Sequence, residues 1–516
     1  MNRTLVVSHY HLRPGGVRRV IETAMPLLAG GGRMARVILA VGESAESTWI
    51  ERLRVSLDGT PLEIRVHPEF LYWSELGDDA RERTKNLPDI CKRLLADCSG
   101  TDAILWAHNL GLGRNIALAS AWAEAVDATG AVFVSHHHDF FFDNRWNRWP
   151  EMRSGGTATL DAAAAAVFPV GSRIVHVAIN RADHECLAAG FGSGALWIPN
   201  AVTPAAHGSA EAQSALQWVA SRTGFAGPYW LLPCRLLRRK NMAEAVLLAR
   251  WLRPEAHIMT TGAPTSAEES NYAEGLALAA AKHGWRLDLG ILVDVKNPPP
   301  VSALIAGAET VLLTSLQEGF GLPYLEAASG GRPLLARSLP NVMPDLVSAG
   351  LLAPTTYEEV FVPLDLFDSN AEVERQRQRW NTWRAGLPSE AAAFCEEPGF
   401  LSQATEPVAF SRLTFMAQEE VLSSSSEDLH AALAPLNPKL AAIQGNAVNL
   451  PPAGFNDSGA DSLSPERFRE NFCTAVKMAE CAPKVSLDAP SHTLRAFLRD
   501  RLSTRNLYPL LFSTEL

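Results

Sequence analysis

Short apolar runs alternate with amphipathic stretches along most of the chain. Runs bounded by turn residues predict buried strands at residues 5–8, 36–41, 103–106, 131–134 and 174–180, and again at 229–233, 256–261, 287–293 and 310–313. Helical spacing of apolar positions follows the first run, after the turn at Gly15 and Gly16. Alternation of strand and helix predicts an α/β fold built from doubly wound parallel sheets.

The segment after residues 310–313 combines a tight turn with a helix start. It contains Glu318, Gly319, Phe320, Gly321, Leu322 and Pro323. Proline is favoured at the first position of a helix, and the amides of the turn and the helix dipole then point at one spot. Glu318 and Glu326 frame that spot with acceptors for vicinal hydroxyls. The segment therefore predicts a site for an oxygen-rich or anionic ligand.

This segment resembles the signature of retaining glycosyltransferases of the GT-B fold, family 4, in which two glutamates flank a G-F-G-x-P turn. The match continues through Ala327, Gly331 and Pro333. The resemblance implies two Rossmann-like doubly wound domains facing across a cleft, with Glu318 near the 3-hydroxyl of a donor sugar and Glu326 on the nucleotide ribose.

The resemblance also implies a domain order. We expect an acceptor-side domain at 1–200, a nucleotide-sugar-binding domain at 201–370 and a long C-terminal extension at 371–516. Within the extension, a helix near 468–478 would return to the first domain. Residues 203–227 are expected to form a surface helix and linker.

Four further residues are implied as ligands of the donor diphosphate. They are Gly15 and Gly16 after the first strand, and Arg235 and Lys240 at a later strand-to-helix turn. A nucleoside diphosphate leaves with growing negative charge, and fixed cations stabilise that charge most in the transition state. Arg238 and Arg239 add charge nearby, but a basic helix start is commonly solvated.

Three consecutive histidines follow the strand at 131–134. Neighbours on an extended chain point to opposite sides, so we expect at most two of them to share an ion, with Asp139 as a third ligand, and we predict no metal. In the resembling family, a histidine after this strand contacts the donor sugar and its reaction centre. His138 fits that form best and His136 nearly as well, and both stay candidates.

An aromatic and basic loop comes next, with Phe140, Phe141, Phe142, Trp146 and Trp149 interleaved with Asp143, Arg145 and Arg148. Its rings and arginines could form an acceptor wall. Alternatively, the aromatic side chains simply pack the loop against its domain. The predicted acceptor contacts are Arg145, Trp146 and Arg148, together with Asn109 at the end of an earlier strand.

Composition narrows the class of protein. The 516 residues are 47% hydrophobic and 20% charged, with a net charge of -10 and no concentrated basic stripe, which disfavours nucleic acid as a partner. Seven cysteines are scattered without a C-x-x-C pair, and no apolar run is long enough to span a bilayer. We therefore expect a cytoplasmic protein without an integral membrane segment.

Together with these observations, the resemblance implies a retaining hexosyltransferase that moves a sugar from a nucleotide diphosphate sugar to a hydroxyl acceptor. No D-x-D carboxylate pair is evident, so we expect catalysis without a metal or another cofactor. Two alternatives keep the fold: a non-catalytic nucleotide-sugar-binding protein and an epimerase. Release of nucleoside diphosphate would exclude the first of these.

Overall fold

The computed structural model describes residues 3–98, 102–202, 209–399, 407–443, 450–456, 460–481 and 483–512. Residues 203–208 of the expected linker lie outside these ranges. The strands, β1 to β17 in chain order, are Thr4–His9, Arg36–Val41, Leu62–Val66, Ala103–His108, Val132–His137, Ile174–Ala178, Ala195–Trp197, Tyr229–Leu232, His257–Thr260, Leu287–Asp288, Thr310–Leu313, Leu334–Arg337, Leu351–Leu352, Thr355–Tyr357, Phe361–Val362, Val408–Ala409 and Gly454–Phe455.

Helices separate most of these strands. The α-helices, α1 to α22 in chain order, are Gly16–Ala29, Ser47–Ser56, Asp78–Arg83, Leu87–Ala96, Ile116–Thr129, Trp149–Ser154, Leu160–Val167, Arg181–Phe191, Ser209–Thr223, Met242–Leu252, Ala267–His283, Val301–Gly307, Leu322–Ser329, Met343–Ser348, Ser369–Ala385, Ser389–Ala392, Phe415–Leu422, Ser426–Leu433, Pro438–Ala441, Pro465–Glu480, Ala489–Arg501 and Pro509–Phe512. Among the described residues, none of them has both the length and the apolar character needed to cross a bilayer.

The chain divides into two compact units. The first comprises Met1–Thr203, Gly386–Phe394 and Asp461–Ser503, and the second comprises Pro204–Ala385, Cys395–Ala460 and Thr504–Leu516. Residues beyond 371 therefore do not form a unit of their own but are shared between these two.

The first unit is built on a parallel sheet in the order β3-β2-β1-β4-β5-β6-β7. Alternate residues of β1 face opposite sides, so Leu5 and Val7 belong to one core cluster and Val6 to another. Both faces are covered, as expected for a parallel sheet. The first cluster also contains Phe468 and Phe472 of α20, so a late segment of the chain completes the packing of this unit.

The second unit carries a parallel sheet in the order β10-β9-β8-β11-β12-β14. One large core cluster joins its strands to α10, in which Leu247 and Leu248 are fully buried. In both sheets the strand order reverses once, between β1 and β4 in the first and between β8 and β11 in the second. Ligands of doubly wound sheets bind at the carboxyl ends of the strands beside such a reversal.

Some strand predictions were wrong. The strand expected at 287–293 ends at Asp288, because Gly290 and Asp294 take positive φ angles of 63° and 56°. Of the strands in the two large sheets, β3, β7, β12 and β14 were not predicted. The residues of β3 are only partly buried or exposed, so its sequence lacks the continuous apolar run that marks a buried strand.

A buried arginine ties α21 to the rest of the first unit. The side chain of Arg501 is 12% exposed and pairs with Asp183 of α8, with Asp500 and, at 2.8 Å, with Asp143 in the aromatic loop. Burial raises the pKa of Asp183 even though the charge of Arg501 opposes that rise. Removing the arginine would therefore leave carboxylates without their charge partner.

We predict that Arg501→Met lowers the free energy of unfolding of the full chain by about 3–5 kcal/mol, since it removes the charge partner of the buried carboxylate of Asp183. The matched control is Arg499→Met in the same helix, whose side chain is exposed and whose loss is expected to change stability by less than about 0.5 kcal/mol. Urea unfolding followed by tryptophan fluorescence measures both. Equal midpoints for the two variants would contradict the prediction.

Candidate active site

The second unit places the predicted donor residues beside its strand reversal. Lys240 ends a short turn after β8, and Glu318 lies in the loop after β11. Two hydrogen bonds join these segments: the Thr314 hydroxyl donates to the Lys240 carbonyl at 2.8 Å, and the Leu316 amide donates to the Arg239 carbonyl at 2.7 Å. The backbone therefore fixes the two predicted side chains next to each other.

Glu318 is the centre of a partly buried charge cluster. One carboxylate oxygen pairs with the Lys240 ammonium and accepts a hydrogen bond from the Ser315 hydroxyl at 2.7 Å. The other oxygen pairs with the Arg239 guanidinium at 3.1 Å. The Glu318 side chain is 8% exposed and that of Lys240 is 10% exposed. Two cations and one carboxylate thus share a site largely removed from water.

The cluster keeps Glu318 ionised. Burial by itself would raise the pKa of Glu318, but the charges of Lys240 and Arg239 lower it to about 2. A carboxylate has about four acceptor positions and an ammonium has three donors. The cluster can therefore accept a sugar hydroxyl at Glu318 and donate to a phosphate oxygen from its cations.

The helix α13 starts as predicted. Gly321 precedes it with φ 87°, and Pro323 lies in its first turn. A Cβ on Gly321 would come within 2.7 Å of Val342, so only glycine fits both the angle and the space. Among the described residues, no acceptor pairs with the amides of Phe320, Gly321 and Leu322, as expected for a helix start that can bind an anion.

An ion pair beneath the cluster holds its elements together. Arg337 of β12 pairs with Glu244 of α10, and both side chains are essentially enclosed. The Tyr324 hydroxyl of α13 donates to the Arg337 carbonyl at 2.7 Å, and the Asn241 amide donates to Glu244 at 2.9 Å. The helix after Lys240 and the helix after Glu318 are therefore both anchored to the same arginine.

The other predicted donor residues of this unit occupy the same edge of the sheet. Arg235 follows β8, is exposed, and packs so closely on Gly262 that a Cβ there would lie 3.0 Å from its side chain. Glu326 is half-buried on α13, and Gly319 lies in the turn before that helix. Their contacts with a donor stay predictions.

In the first unit, the Gly15–Gly16 turn lies at the start of α1. Both glycines are exposed, and nothing lies within 4 Å of a Cβ built on Gly16. The first turn of α1 has no acidic residue, so its positive end is not neutralised locally. The turn is therefore open to an anion, and the predicted phosphate contact stays a prediction.

The histidines of the first unit form a buried stack. Strand pairing sets His108 of β4 opposite His136 of β5, and His138 follows two residues later on the same side. Ring centroids are 5.4 Å apart for His108 and His136, 5.3 Å for His108 and His138, and 4.7 Å for His136 and His138. Burial lowers the pKa of His138 to about 4 and holds those of His108 and His136 well below their ordinary value. All three rings are neutral at pH 7.

The expectation that at most two of the three consecutive histidines come together holds, for His136 and His138, but the expected third member was wrong. Among the described residues, nitrogens of His108, His136 and His138 lie within 4.8 Å of one another. Asp139 is not the third member, since its carboxylate pairs with Arg145 at 3.0 Å. His108 lies on the neighbouring strand β4, opposite His136. The run of three histidines in the sequence gives no indication of this contact.

The aromatic loop follows the packing alternative. Phe140 and Phe142 are fully buried and lie 4.4 Å and 4.8 Å from Phe497 of α21. Trp146 is 3% exposed, so it offers no free ring face on which a sugar could stack. Of the two alternatives, the structure therefore shows packing of the aromatic side chains and not an acceptor wall.

The polar residues predicted to bind an acceptor already have partners. Asn109 has a left-handed backbone, and its side-chain oxygen accepts from the amides of His138 at 3.3 Å and Asp139 at 2.9 Å. Arg145 pairs with Asp139, and Arg148 lies 3.9 Å from Glu151. These contacts shape the loop, and acceptor binding by the three residues stays a prediction.

Two residues with central places in these clusters were not selected from the sequence. Arg239 was set aside as a solvated cation, yet it contacts Glu318 and donates to the Gln317 carbonyl at 2.7 Å. Its position next to Lys240 was the available signal. His108, which precedes Asn109, was not selected at all. The available signal was that His108 and His136 both lie at the ends of predicted strands, which are adjacent and parallel in the sheet.

Two Rossmann-like units with parallel sheets, and a charge cluster at the strand reversal of one of them, define the GT-B class of fold. The resemblance predicted from the sequence is confirmed, and the chain has the fold of GT-B glycosyltransferases. Residues 1–516 match no protein-family model.

Curated relatives agree with this class. The chain is similar to a mannosylglucosyl-3-phosphoglycerate synthase of Petrotoga mobilis, with 24% identity over 396 residues that cover 73% of this chain and 72% of the relative. An 80-residue stretch is 40% identical to an MMP alpha-(1->4)-mannosyltransferase of Mycolicibacterium hassiacum, covering 14% of this chain and 20% of that protein.

Solved structures show the same fold. Anabaena HepE in complex with UDP and glucose superposes with a TM-score of 0.52 at 14% identity, covering 92% of this chain and 100% of that one. A glycosyltransferase from Rickettsia africae gives a TM-score of 0.51 at 13% identity, covering 92% and 98%.

We predict that the stabilising effect of Glu318 depends on acid pH. Because its folded pKa lies below the ordinary value of 4.5, its contribution is complete above about pH 4.5 and is lost as pH falls toward 2. Glu318→Gln should be less stable than wild type at neutral pH, and this difference should shrink by about 2 kcal/mol by about pH 3.

Urea midpoints measured from about pH 6 to about pH 3 test this expectation. The control Glu274→Gln removes an exposed carboxylate of the same unit, and its difference from wild type should stay nearly constant. A pH-independent difference for Glu318→Gln would show that Lys240 and Arg239 do not hold this carboxylate ionised.

Proposed function

We propose that the chain is a retaining hexosyltransferase that uses a nucleotide diphosphate sugar as donor and a hydroxyl group as acceptor. The observation that carries this proposal is the cluster of Lys240, Arg239 and Glu318 beside the start of α13. A cationic group, an ionised carboxylate and a helix N-terminus match the phosphates and hydroxyls of such a donor.

The names of similar proteins support the choice of donor. HepE was solved with UDP and glucose. One curated relative is named for a mannosylglucosyl product, and the other is named as an alpha-(1->4)-mannosyltransferase. The same names support an α-hexose as the transferred group, but they do not choose between glucose and mannose. The name of the longer relative contains a phosphoglycerate, which supports an anionic acceptor for this chain.

The chemistry follows from the charges. As the bond between the anomeric carbon and the phosphate breaks, the leaving diphosphate gains negative charge, which Lys240 and the α13 amides stabilise most in the transition state. Arg239 and Lys240 hold Glu318 ionised, so that it accepts hydrogen bonds from the sugar and fixes its position. These fixed charges take the place of a metal ion, and we propose metal-independent transfer.

Retention of configuration is the finer part of the proposal. We propose that the acceptor hydroxyl attacks on the face that the diphosphate leaves, and that the phosphate oxygen takes the hydroxyl proton. The cluster supports this course, because cations that hold the leaving phosphate keep its oxygen close to the anomeric carbon. A cytoplasmic location also stays a prediction.

We predict that Lys240→Ala and Glu326→Ala weaken donor binding. Thermal shift with UDP-, GDP- and ADP-sugars first finds the donor, because a ligand at about a hundred times its dissociation constant adds roughly 2.7 kcal/mol of stability. Both variants should lose about tenfold or more in affinity, as expected for a lost charged hydrogen bond. Lys296→Ala, an exposed lysine of the same unit, is the control and should bind like wild type.

Transfer itself is tested by the release of nucleoside diphosphate and by the configuration of the product. We expect proton NMR to show the donor's anomeric configuration in the first-formed product. We also expect the rate of transfer to be the same in excess EDTA as without it. An inverted product would exclude front-face transfer, and loss of activity that added Mg²⁺ restores would exclude the metal-independent mechanism. Failure to release nucleoside diphosphate from any donor would contradict the whole proposal.

A further inference from the structure

The histidine stack of the first unit contains hydrogen bonds that fix where each ring carries its proton. Trp106 of β4 places its indole nitrogen 3.1 Å from Nδ1 of His136. An indole N–H can only donate, so Nδ1 of His136 is an acceptor and its proton lies on Nε2. The tautomer of His136 is therefore set by the strand beside it.

This tautomer argues against the stack as a metal site. A histidine binds a metal through an unprotonated nitrogen. Nδ1 of His136 is engaged by Trp106, and Nε2 carries the proton, so His136 has no lone pair to offer while the indole bond is intact. The close approach of the three rings needs a different explanation.

His108 and His138 share one hydrogen bond, with Nδ1 of His108 3.0 Å from Nε2 of His138. Because both rings are neutral, one of these two nitrogens carries the proton. The second nitrogen of His108, Nε2, is buried and has no hydrogen-bond partner among the described residues. With its proton on Nε2, His136 already has one buried N–H without a partner among the described residues. A proton on Nε2 of His108 would add a second, and a buried acceptor without a partner is tolerated better than a buried N–H. We therefore take the proton of His108 to lie on Nδ1, which makes His108 the donor.

This assignment decides which nitrogen of His138 carries its proton. Its Nε2 accepts from His108, so its own proton must lie on Nδ1. Its backbone is also held, because its amide donates to the Asn109 side chain at 3.3 Å. His138 is 7% exposed, whereas His108 and His136 are 0% and 1% exposed. It is therefore the ring of the stack that can meet a ligand.

We propose that His108 is a positioning residue that holds His138 as the neutral Nδ1–H tautomer, so that His138 meets a substrate oxygen as a hydrogen-bond donor and not as a base. This inference deepens the proposed function and rests on it for the identity of the substrate as a donor sugar. Such an N–H would stabilise a substrate oxygen that gains negative charge or hydrogen bonds during transfer.

The tautomer is measured directly in the full-length protein with ¹⁵N-labelled histidine rings. The His138 signals are identified by their absence in His138→Gln. In wild type we expect the Nδ1 shift of a protonated nitrogen and the Nε2 shift of an unprotonated one. A His138 ring protonated on Nε2 would overturn the proposal, and this measurement requires no substrate.

Two substitutions at His108 separate positioning from packing. His108→Asn keeps an N–H close to the place of Nδ1, and His108→Leu fills similar space without a donor. We expect His108→Leu to lower kcat about tenfold with little change in KM, as for one lost hydrogen bond, and to mix the two tautomers of His138. His108→Asn should keep the wild-type tautomer and most of kcat.

Equal kcat values for the two variants, or an unchanged His138 tautomer in His108→Leu, would overturn the role of His108. Circular dichroism and thermal unfolding show whether each variant is folded, and if His108→Leu does not fold, the wild-type tautomer and His108→Asn still decide. If no donor is turned over at all, the proposed function fails, while the ring shifts still decide whether His108 fixes the tautomer.

Discussion

The pairing of Glu318 with Lys240 and Arg239 is the interaction on which the second unit's chemistry depends. Taking charges out of water is costly, and a partly buried ion pair survives only when its geometry and hydrogen bonds compensate. Here three hydrogen bonds supply that geometry. The Ser315 hydroxyl donates to Glu318, the Thr314 hydroxyl donates to the Lys240 carbonyl, and the Leu316 amide donates to the Arg239 carbonyl. The cluster is therefore preorganised, and a ligand meets charges that are already in place.

The histidine stack of the first unit follows a different principle. Its rings are buried without a carboxylate in the stack, so burial keeps them neutral. In neutral rings, the direction of the hydrogen bonds decides which nitrogen carries the proton. The indole of Trp106 decides this for His136, and the bond shared by His108 and His138 decides it for those two rings. One unit therefore offers fixed charge, and the other offers fixed proton positions.

Much of the fold was predictable where the information is local. The strand β2 has the predicted bounds, and the turn at Gly321 with Pro323 in the first helical turn was predicted from residue types that permit few other conformations. The helix α20 contains the segment 468–478 that was expected to be helical, and Ser464 caps its start. By contrast, β3 is partly exposed and β10 is cut short by a left-handed glycine, so periodicity alone missed the first and overextended the second.

The sequence by itself determined the class of fold, its alternation of strands and helices, and the position of the paired glutamates around the glycine turn, because spacing and turn chemistry act between neighbours along the chain. Only the tertiary structure decided that Arg239 joins Glu318, that His108 joins His136 and His138, and that the aromatic loop is packed against Phe497. Each of these contacts joins residues far apart in the chain. Their distances depend on strand register and helix packing, which no local pattern encodes.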